Sequence, residues 1–325
     1  MSAASVSEAL AYLHTAPLTS GSRVRLITPS GPGSEEGRDR ALAILRGWGL
    51  EVVPGAHLNE QDWRRYLAGP DRDRGADLVE AWTDPDTDAV VALRGGYGAM
   101  RLLDALDWEA LRGARLRRDG RPKLLVGSSD ITALHQAFRV HLGVPTLFTP
   151  MPGTAPFRSE TVQADVHRWF FEPWAGRSLR GPVARTLVPG TATGVLEGGN
   201  LSLVAASIGA GEHRHPRGIA LLEDVGEDLY RLDNLLIQLW RSGWFTQAQA
   251  VALGSWEGCG DPDGAPGEIR RLLQEYLEPL GIPVAWELGF GHDPEALSVP
   301  LGVPARLTAS PGVPPTLTVL DEELV

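Results

Sequence analysis

From Arg23 onward, short runs rich in β-branched residues alternate with longer amphipathic stretches, and this alternation is the strongest constraint on the fold. It is the pattern of βαβ units, in which helices cover a parallel sheet. Expected strands lie at 24–28, 51–53, 89–93, 123–126 and 146–148, most of them followed closely by Gly, Pro or Ser. Ligands of open parallel sheets bind beyond the carboxyl ends of the strands. Chemistry is therefore expected in the loops TPSGPGS, LRGGYGA and VGSSDIT.

At 325 residues the chain is long enough for two domains, each with its own core. Between 152 and about 189 the periodicity weakens into a stretch punctuated by Pro and Gly, with a polar helix pattern at 159–171. The expected division is an N-terminal domain over 1–165, an interdomain linker over 166–188 and a C-terminal domain over 189–325. In the last of these, a strand is expected at 219–223 and another at 250–253. A helix over 229–240 places Leu232, Leu235, Leu236 and Leu239 on one face. A second helix is expected near 269–277, and the tail holds short strand-like runs divided by Pro and Gly. The fold class is thus α/β, a parallel-sheet domain followed by a mixed α/β domain that is β-rich at its end.

The formal net charge of −11 argues against a nucleic-acid partner, because phosphate binding needs a basic face and none stands out. The single cysteine, Cys259, cannot form an internal disulfide, which fits a reducing compartment. The opening MSAASVSEALAYLHTAP has no basic region ahead of an apolar run, and nowhere do about 18 apolar residues run unbroken. The expected location is the cytoplasm, with no membrane contact.

The segment KLLVGSSDITALHQAF reads as strand, sharp turn and helix, with Ser129 at the bend and Asp130 near the helix N-terminus. A serine on such a turn projects its hydroxyl at the top of a sheet, and the amide of the next residue, Asp130, points at an oxyanion forming on an attacked carbonyl. The glycine-rich Arg94–Gly98 loop offers a second donor from Gly95 or Gly96. Each piece has a plainer reading. Ser and Asp are favoured helix caps, and RGGYG is also what a tight turn or a phosphate-cradling loop looks like.

Together the stretches VRLITPSGP, LRGGYGAMRLLDALD, VGSSDITALH, LEGGNLSLVAASIGA, LLEDVGEDLYRLDNLLIQL and GFGHDPEALSVPLG closely resemble peptidase family S66. This family comprises the LD-carboxypeptidases and includes the microcin C immunity peptidases. The resemblance implies Ser129 as nucleophile, Glu223 as the acid that orients the histidine, and His292 as general base. It also implies a flavodoxin- or Rossmann-like first domain, a triad assembled across the domain interface, and a homodimer. Ser128 departs from the bulky residue often found there in relatives.

In such a triad the histidine takes the serine proton through one ring nitrogen while the carboxylate holds the other. Arg94, Tyr97 and Arg231 are candidates for binding substrate. His135 is read either as a group behind the site or as helix packing. His213 and His215 flank Arg214 in a loop too short and too poor in acidic or Cys neighbours for a zinc site, so no metal is expected, and no cofactor. The implied substrate is a small peptide ending in a D-amino acid, a murein tetrapeptide cut to tripeptide and D-alanine during wall recycling. An immunity-type peptidase acting on peptide-nucleotide amides is the nearest alternative, with Trp169, Trp174 or Trp240 as a platform for the base. The other is a non-catalytic nucleotide-binding protein, although neither a G-x-x-x-x-G-K-[ST] nor a G-x-G-x-x-G motif occurs at these loops.

Overall fold

A computed structural model describes residues 11–261 and 263–321 and divides the chain into two compact units, Ala11–Pro173 and a second that begins at Trp174. The first holds β1 (Arg23–Ile27), α1 (Glu35–Gly47), β2 (Glu51–Pro54), α2 (Asp71–Thr83) and β3 (Ala89–Ala92). These are followed by α3 (Trp108–Gly113), β4 (Leu124–Gly127), α4 (Thr132–His141), β5 (Thr146–Phe148) and α5 (Glu160–Phe171). Within this unit the strands are all parallel, in the order β5-β4-β3-β1-β2. That is the flavodoxin-like order, with its switch point between β1 and β3. Every residue of β3 and β4 is buried, as expected of parallel strands covered on both faces. Each buried Val or Leu there contributes roughly 1.5–3 kcal/mol relative to exposure. The loops after β1, β3 and β4 therefore emerge from a rigid base.

The second unit contains β6 (Ser178–Leu179), β7 (Arg185–Val188), β8 (Gly190–Asn200), α6 (Leu201–Ala206), β9 (Ile219–Val225), α7 (Leu229–Arg241) and β10 (Ala250–Glu257). It continues with α8 (Glu268–Leu277), β11 (Val284–Trp286), β12 (Val299–Leu301), β13 (Pro304–Ser310) and β14 (Val313–Val319). Its sheet runs β6-β14-β13-β8-β9-β10-β11-β7. The neighbours from β8 to β11 are parallel, and antiparallel strands flank them. Leu232, Leu236 and Leu239 of α7 are fully buried and Leu235 nearly so, packed with Leu222 and Leu253 of the sheet. This is the helix face expected from the leucine spacing.

The stretch expected as a linker differs from that reading. Residues 166–171 complete α5, the units divide at Pro173 and Trp174, and β6 and β7 lie within 166–188. β7 pairs antiparallel with β11, a partner nearly a hundred residues downstream. Pro and Gly spacing alone does not reveal such a pairing. No helix among the described residues is long and apolar enough to cross a membrane.

Candidate active site

β4 ends at Gly127, and a single 3-10 turn, Ser129–Ile131, leads into α4. Ser129 sits at φ 59°, a left-handed conformation that costs a non-glycine residue on the order of 1–3 kcal/mol and concentrates at functional sites. The residues on either side, Ser128 and Asp130, are buried. A Cβ added at Gly95 would lie 3.0 Å from Ser129 Cβ, 3.2 Å from Ser129 Oγ and 3.4 Å from the Asp130 nitrogen. Only a residue without a side chain keeps the space beside that hydroxyl and amide open. Gly95, Ser129 and Asp130 are thus brought together. Gly96 is exposed at φ 115°.

The turn is braced from behind. The buried Asp130 carboxylate accepts from Ser30 Oγ at 2.6 Å and from the Ala99 amide at 2.8 Å, tying the loops after β1 and β3 to the Ser129 turn. The fully buried guanidinium of Arg74 donates to the carbonyls of Gly69 (3.2 Å), Gly98 (3.0 Å) and Pro29, and pairs with Asp71. It ties the loop after β2 to the same rim. His135 Nε2 lies 2.9 Å from the Gly127 carbonyl, which assigns the proton to that nitrogen. Burial pulls its pKa down to about 4. His135 is therefore a neutral brace.

Arg94 is exposed and donates only to the carbonyls of Gly95 (3.3 Å) and Pro32 (3.2 Å), leaving it without a carboxylate partner among the described residues. The Tyr97 ring is half exposed and meets the Tyr66 ring edge-on, with centroids 5.7 Å apart.

In the second unit, the carboxyl ends of the parallel strands gather another polar set. Glu223, near the end of β9, is fully buried, and its Oε2 lies 2.6 Å from His292 Nδ1. Its other oxygen accepts from Asn200 Nδ2 at 3.2 Å. Bonding at Nδ1 leaves Nε2 as the nitrogen with which His292 can take a proton. The His292 amide donates to the buried Ser255 Oγ at 2.8 Å, which fixes the ring's backbone. A Cβ at Gly291 would lie 2.2 Å from that hydroxyl and 3.1 Å from Glu223 Oε2, so a glycine is required for the loop to pass this close. Burial disfavours the imidazolium of His292. The charge and hydrogen bond of Glu223 outweigh it, and the pKa stands above its ordinary 6.5. Next to Glu223, burial and that residue's charge push Asp224 up to about 6, although its carboxylate accepts from Asn200 and Ser202.

Asn200, Ser255, Ser30 and Arg74 were not singled out in the sequence. LEGGN and GSWEG contain two of them, but nothing local marks their partners. Arg231 is paired with Glu227 on α7, Nε to Oε2 3.3 Å. Trp169 and Trp174 are buried in the core, which removes them as base platforms, whereas Trp240 is 38% exposed. His215 Nδ1 is bound to the Gly243 carbonyl, and its ring meets that of His213 edge-on. Elsewhere His57, Glu60 and Asp73 place donor atoms within 4.8 Å of one another, a grouping not anticipated from the sequence.

Comparison with known proteins gives matches along most of the chain. Residues 24–149 match the LD-carboxypeptidase N-terminal domain, and residues 193–307 match the LD-carboxypeptidase C-terminal domain. A Streptomyces coelicolor relative named as a carboxypeptidase is 46% identical over 309 residues, covering 94% of this chain and 95% of its own. The murein tetrapeptide carboxypeptidase of Pseudomonas aeruginosa is 34% identical over 300 residues, covering 88% and 92%. Among solved structures, muramoyltetrapeptide carboxypeptidase from Oxalobacter formigenes aligns with a TM-score of 0.78 at 28% identity, covering 93% of this chain and all of that one. MccF in complex with glutamyl sulfamoyl guanosine aligns at 0.80 and 20% identity, covering 96% and 99%, a likeness of fold.

Proposed function

Because the chain belongs to the LD-carboxypeptidase family, peptidase family S66, we propose that it releases the terminal D-alanine from a murein tetrapeptide. In this reading Ser129 is the nucleophile, His292 the general base and Glu223 the acid that orients it. The observation that carries it is the 2.6 Å contact between His292 Nδ1 and the fully buried Glu223 carboxylate. A carboxylate so placed fixes the imidazole tautomer and stabilises the imidazolium formed when the serine proton is taken.

The chemistry then follows the acyl-enzyme route. Ser129 Oγ attacks the carbonyl of the amide joining an L-centre to the D-alanine, and its proton passes to His292 Nε2. The oxyanion is met by the Asp130 amide and by an amide of Gly95 or Gly96. Collapse expels the amine of D-alanine, which takes the proton from His292. Water, activated by the same imidazole, then releases the tripeptide and restores the serine. Arg94 and Arg231 are the cations available to a substrate carboxylate, and Tyr97 is the exposed aromatic beside the glycine loop. Arg94 suits that role better, since Arg231 already holds Glu227.

The two relatives named for murein peptides, at 30% and 34% identity, support a murein peptide over a nucleotide conjugate. A role in wall recycling places the enzyme in the cytoplasm. The homodimer proposed with it has exposed apolar side chains available on α7, Tyr230, Ile237 and Trp240, and light scattering of the purified protein reads its mass directly.

The test is turnover of a murein tetrapeptide and of an aminoacyl sulfamoyl adenylate in parallel, with D-alanine release and mass spectrometry as readouts. The proposal expects tetrapeptide cleavage that is lost in Ser129→Ala. Cleavage of the adenylate alone, or full activity in the variant, overturns it.

A further inference from the structure

Two carboxylates follow one another near the end of β9, and the triad employs only the first. Consecutive strand residues face opposite sides of a sheet, so Glu223 and Asp224 are not placed by the strand to share a partner. Asn200 joins them. It stands opposite Glu223 in the register of β8 and β9, and its Nδ2 donates to Glu223 Oε1 at 3.2 Å and to Asp224 Oδ1 at 2.9 Å. Its own carbonyl accepts from the Leu203 amide at 3.2 Å, so turning the amide over would set donor against donor and acceptor against acceptor. All three side chains are buried.

Asp224 anchors this amide. Four donors converge on its two oxygens: Asn200 Nδ2 and the Val225 amide, both at 2.9 Å, on Oδ1, and the Ser202 amide (2.9 Å) and hydroxyl (2.8 Å) on Oδ2. Only a carboxylate accepts on both sides, whereas an amide turns its own donors toward one of these pairs. Glu223 is held more sparsely, with Asn200 on Oε1 and His292 on Oε2. Without Asn200, the Glu223 carboxylate is free to turn away from the ring. The charges around the network come from few residues. Asp224 is faced by Glu223 on its own strand and, across Ser202, by Glu227, which pairs with Arg231. Burial, with the charges of Asp224 and Glu223, pushes the neighbouring Cys259 thiol up to about 11. His292 is faced by Glu223, Asp224 and Asp293, and Glu257 acts in turn on Asp293.

We propose that Asp224 is a positioning residue for the reaction: acting through the Asn200 amide, its carboxylate fixes one oxygen of Glu223 so that the other stays aimed at the imidazole of His292. The assignment rests on the triad reading above. It gives the second carboxylate of β9 a role distinct from that of the first. Glu223 touches the base, whereas Asp224 touches only the group that orients Glu223 and the start of α6. Its charge acts in the same direction as its geometry, since it adds to that of Glu223 in favouring the imidazolium of His292.

The experiment measures D-alanine release from a murein tetrapeptide across pH for Asp224→Asn, Asn200→Ala and the double variant, with a thermal melt of each. Asp224→Asn is expected to lower kcat by about tenfold, the scale of one lost buried hydrogen bond. It is also expected to move the acid limb of kcat/KM to lower pH, because the imidazolium of His292 loses a favouring charge. A residue that merely stabilised the fold would lower Tm and leave the limb in place. Asn200→Ala is expected to lower kcat by a similar factor. Because Asp224 acts through Asn200, the double variant is expected to be no slower than the slower single variant, whereas independent effects would multiply to about a hundredfold. Asp224→Glu, which keeps both oxygens and the charge, is expected to return the limb to its wild-type position, and it replaces Asp224→Asn in the cycle if that variant does not fold. A limb unmoved in Asp224→Asn, or losses that multiply in the double variant, overturns the inference while leaving the carboxypeptidase reading intact. A wild type that cleaves no tetrapeptide overturns that reading itself.

Discussion

Replacing Gly95 by alanine separates an open oxyanion site from a merely tight turn. The added methyl carbon would stand 3.0 Å from Ser129 Cβ, 3.2 Å from Ser129 Oγ and 3.4 Å from the Asp130 nitrogen. Carbon atoms prefer separations of about 3.5–4.0 Å, so the approach to Ser129 Cβ is compressed, that to Ser129 Oγ is tight, and that to the Asp130 nitrogen stands at the near edge of ordinary contact. Two of the partners are atoms of the short Ser129 side chain and the third is backbone, so none can swing aside as the tip of a long side chain would. Overpacking of this kind costs about 1–3 kcal/mol, partly offset by about 0.4–1 kcal/mol from the stiffer unfolded chain. The net loss lowers Tm by only a few degrees, on the order of 2–4 °C per kcal/mol for a unit of this size. The effect on chemistry is larger. A methyl that fills the space shared by the hydroxyl and the amide removes what an oxyanion donor supplies, worth about a hundredfold to a thousandfold in kcat. The assay is D-alanine release from a tetrapeptide, with thermal unfolding on the same sample. Gly113→Ala is the control, since a Cβ there meets nothing within 4 Å. A Gly95→Ala enzyme with kcat within about threefold of wild type would refute the placement of the oxyanion beside Gly95.

Three further outcomes follow from the same geometry. A base must be neutral to act, and Glu223 holds the His292 pKa above 6.5, so the acid limb of kcat/KM is expected above that pH. Glu223→Gln should move the limb downward and cut kcat, and a limb that stays in place would dissociate the pair from catalysis. Ser255→Ala strips the acceptor from the His292 amide, so kcat is expected to fall about tenfold with Tm lowered by a few degrees, and unchanged kcat would show the loop needs no such anchor. His135 is neutral in the fold, with its pKa near 4, and titrates near 6.5 when unfolded. The stability it contributes is complete above 6.5 and is lost as pH falls toward 4, on the order of 3 kcal/mol in all. His135→Gln, which keeps a donor for the Gly127 carbonyl, should flatten the fall of Tm across that window.

The first unit was legible because its information is local. Each strand of a βαβ unit is announced by its own β-branched run and closed by its own turn residues, so β1 to β5 fall within a residue or two of their expected positions. The serine turn was legible for the same reason, since strand, bend and helix are contiguous from Leu124 to His141. The second unit was harder. β8 is an eleven-residue strand containing Gly194, Gly198 and Gly199, residues that weaken any strand signal. At Gly198 a Cβ would stand 2.1 Å from the Leu221 carbonyl, so the glycine reflects a close approach by β9 that no local pattern records. The braces of the site were illegible on the same ground. Ser30 finds Asp130 a hundred residues away, Ser255 finds the His292 amide 37 away, and Asn200 finds Glu223 23 away. A lone Ser or Asn gives no hint of such a partner. The tryptophans erred in the other direction. Trp169 and Trp174 carry no periodic mark distinguishing a core ring from a binding surface, and the structure places both in the core.

The guanidinium of Arg74 has a dynamic consequence. A charge held without exposure by the carbonyls of Pro29, Gly69 and Gly98 cannot lose one of them without weakening its hold on the others. Three loops that would otherwise fluctuate independently are coupled into one cooperative element. Amides along this rim are then expected to exchange their hydrogens through a shared opening event, with protection factors that rise and fall together.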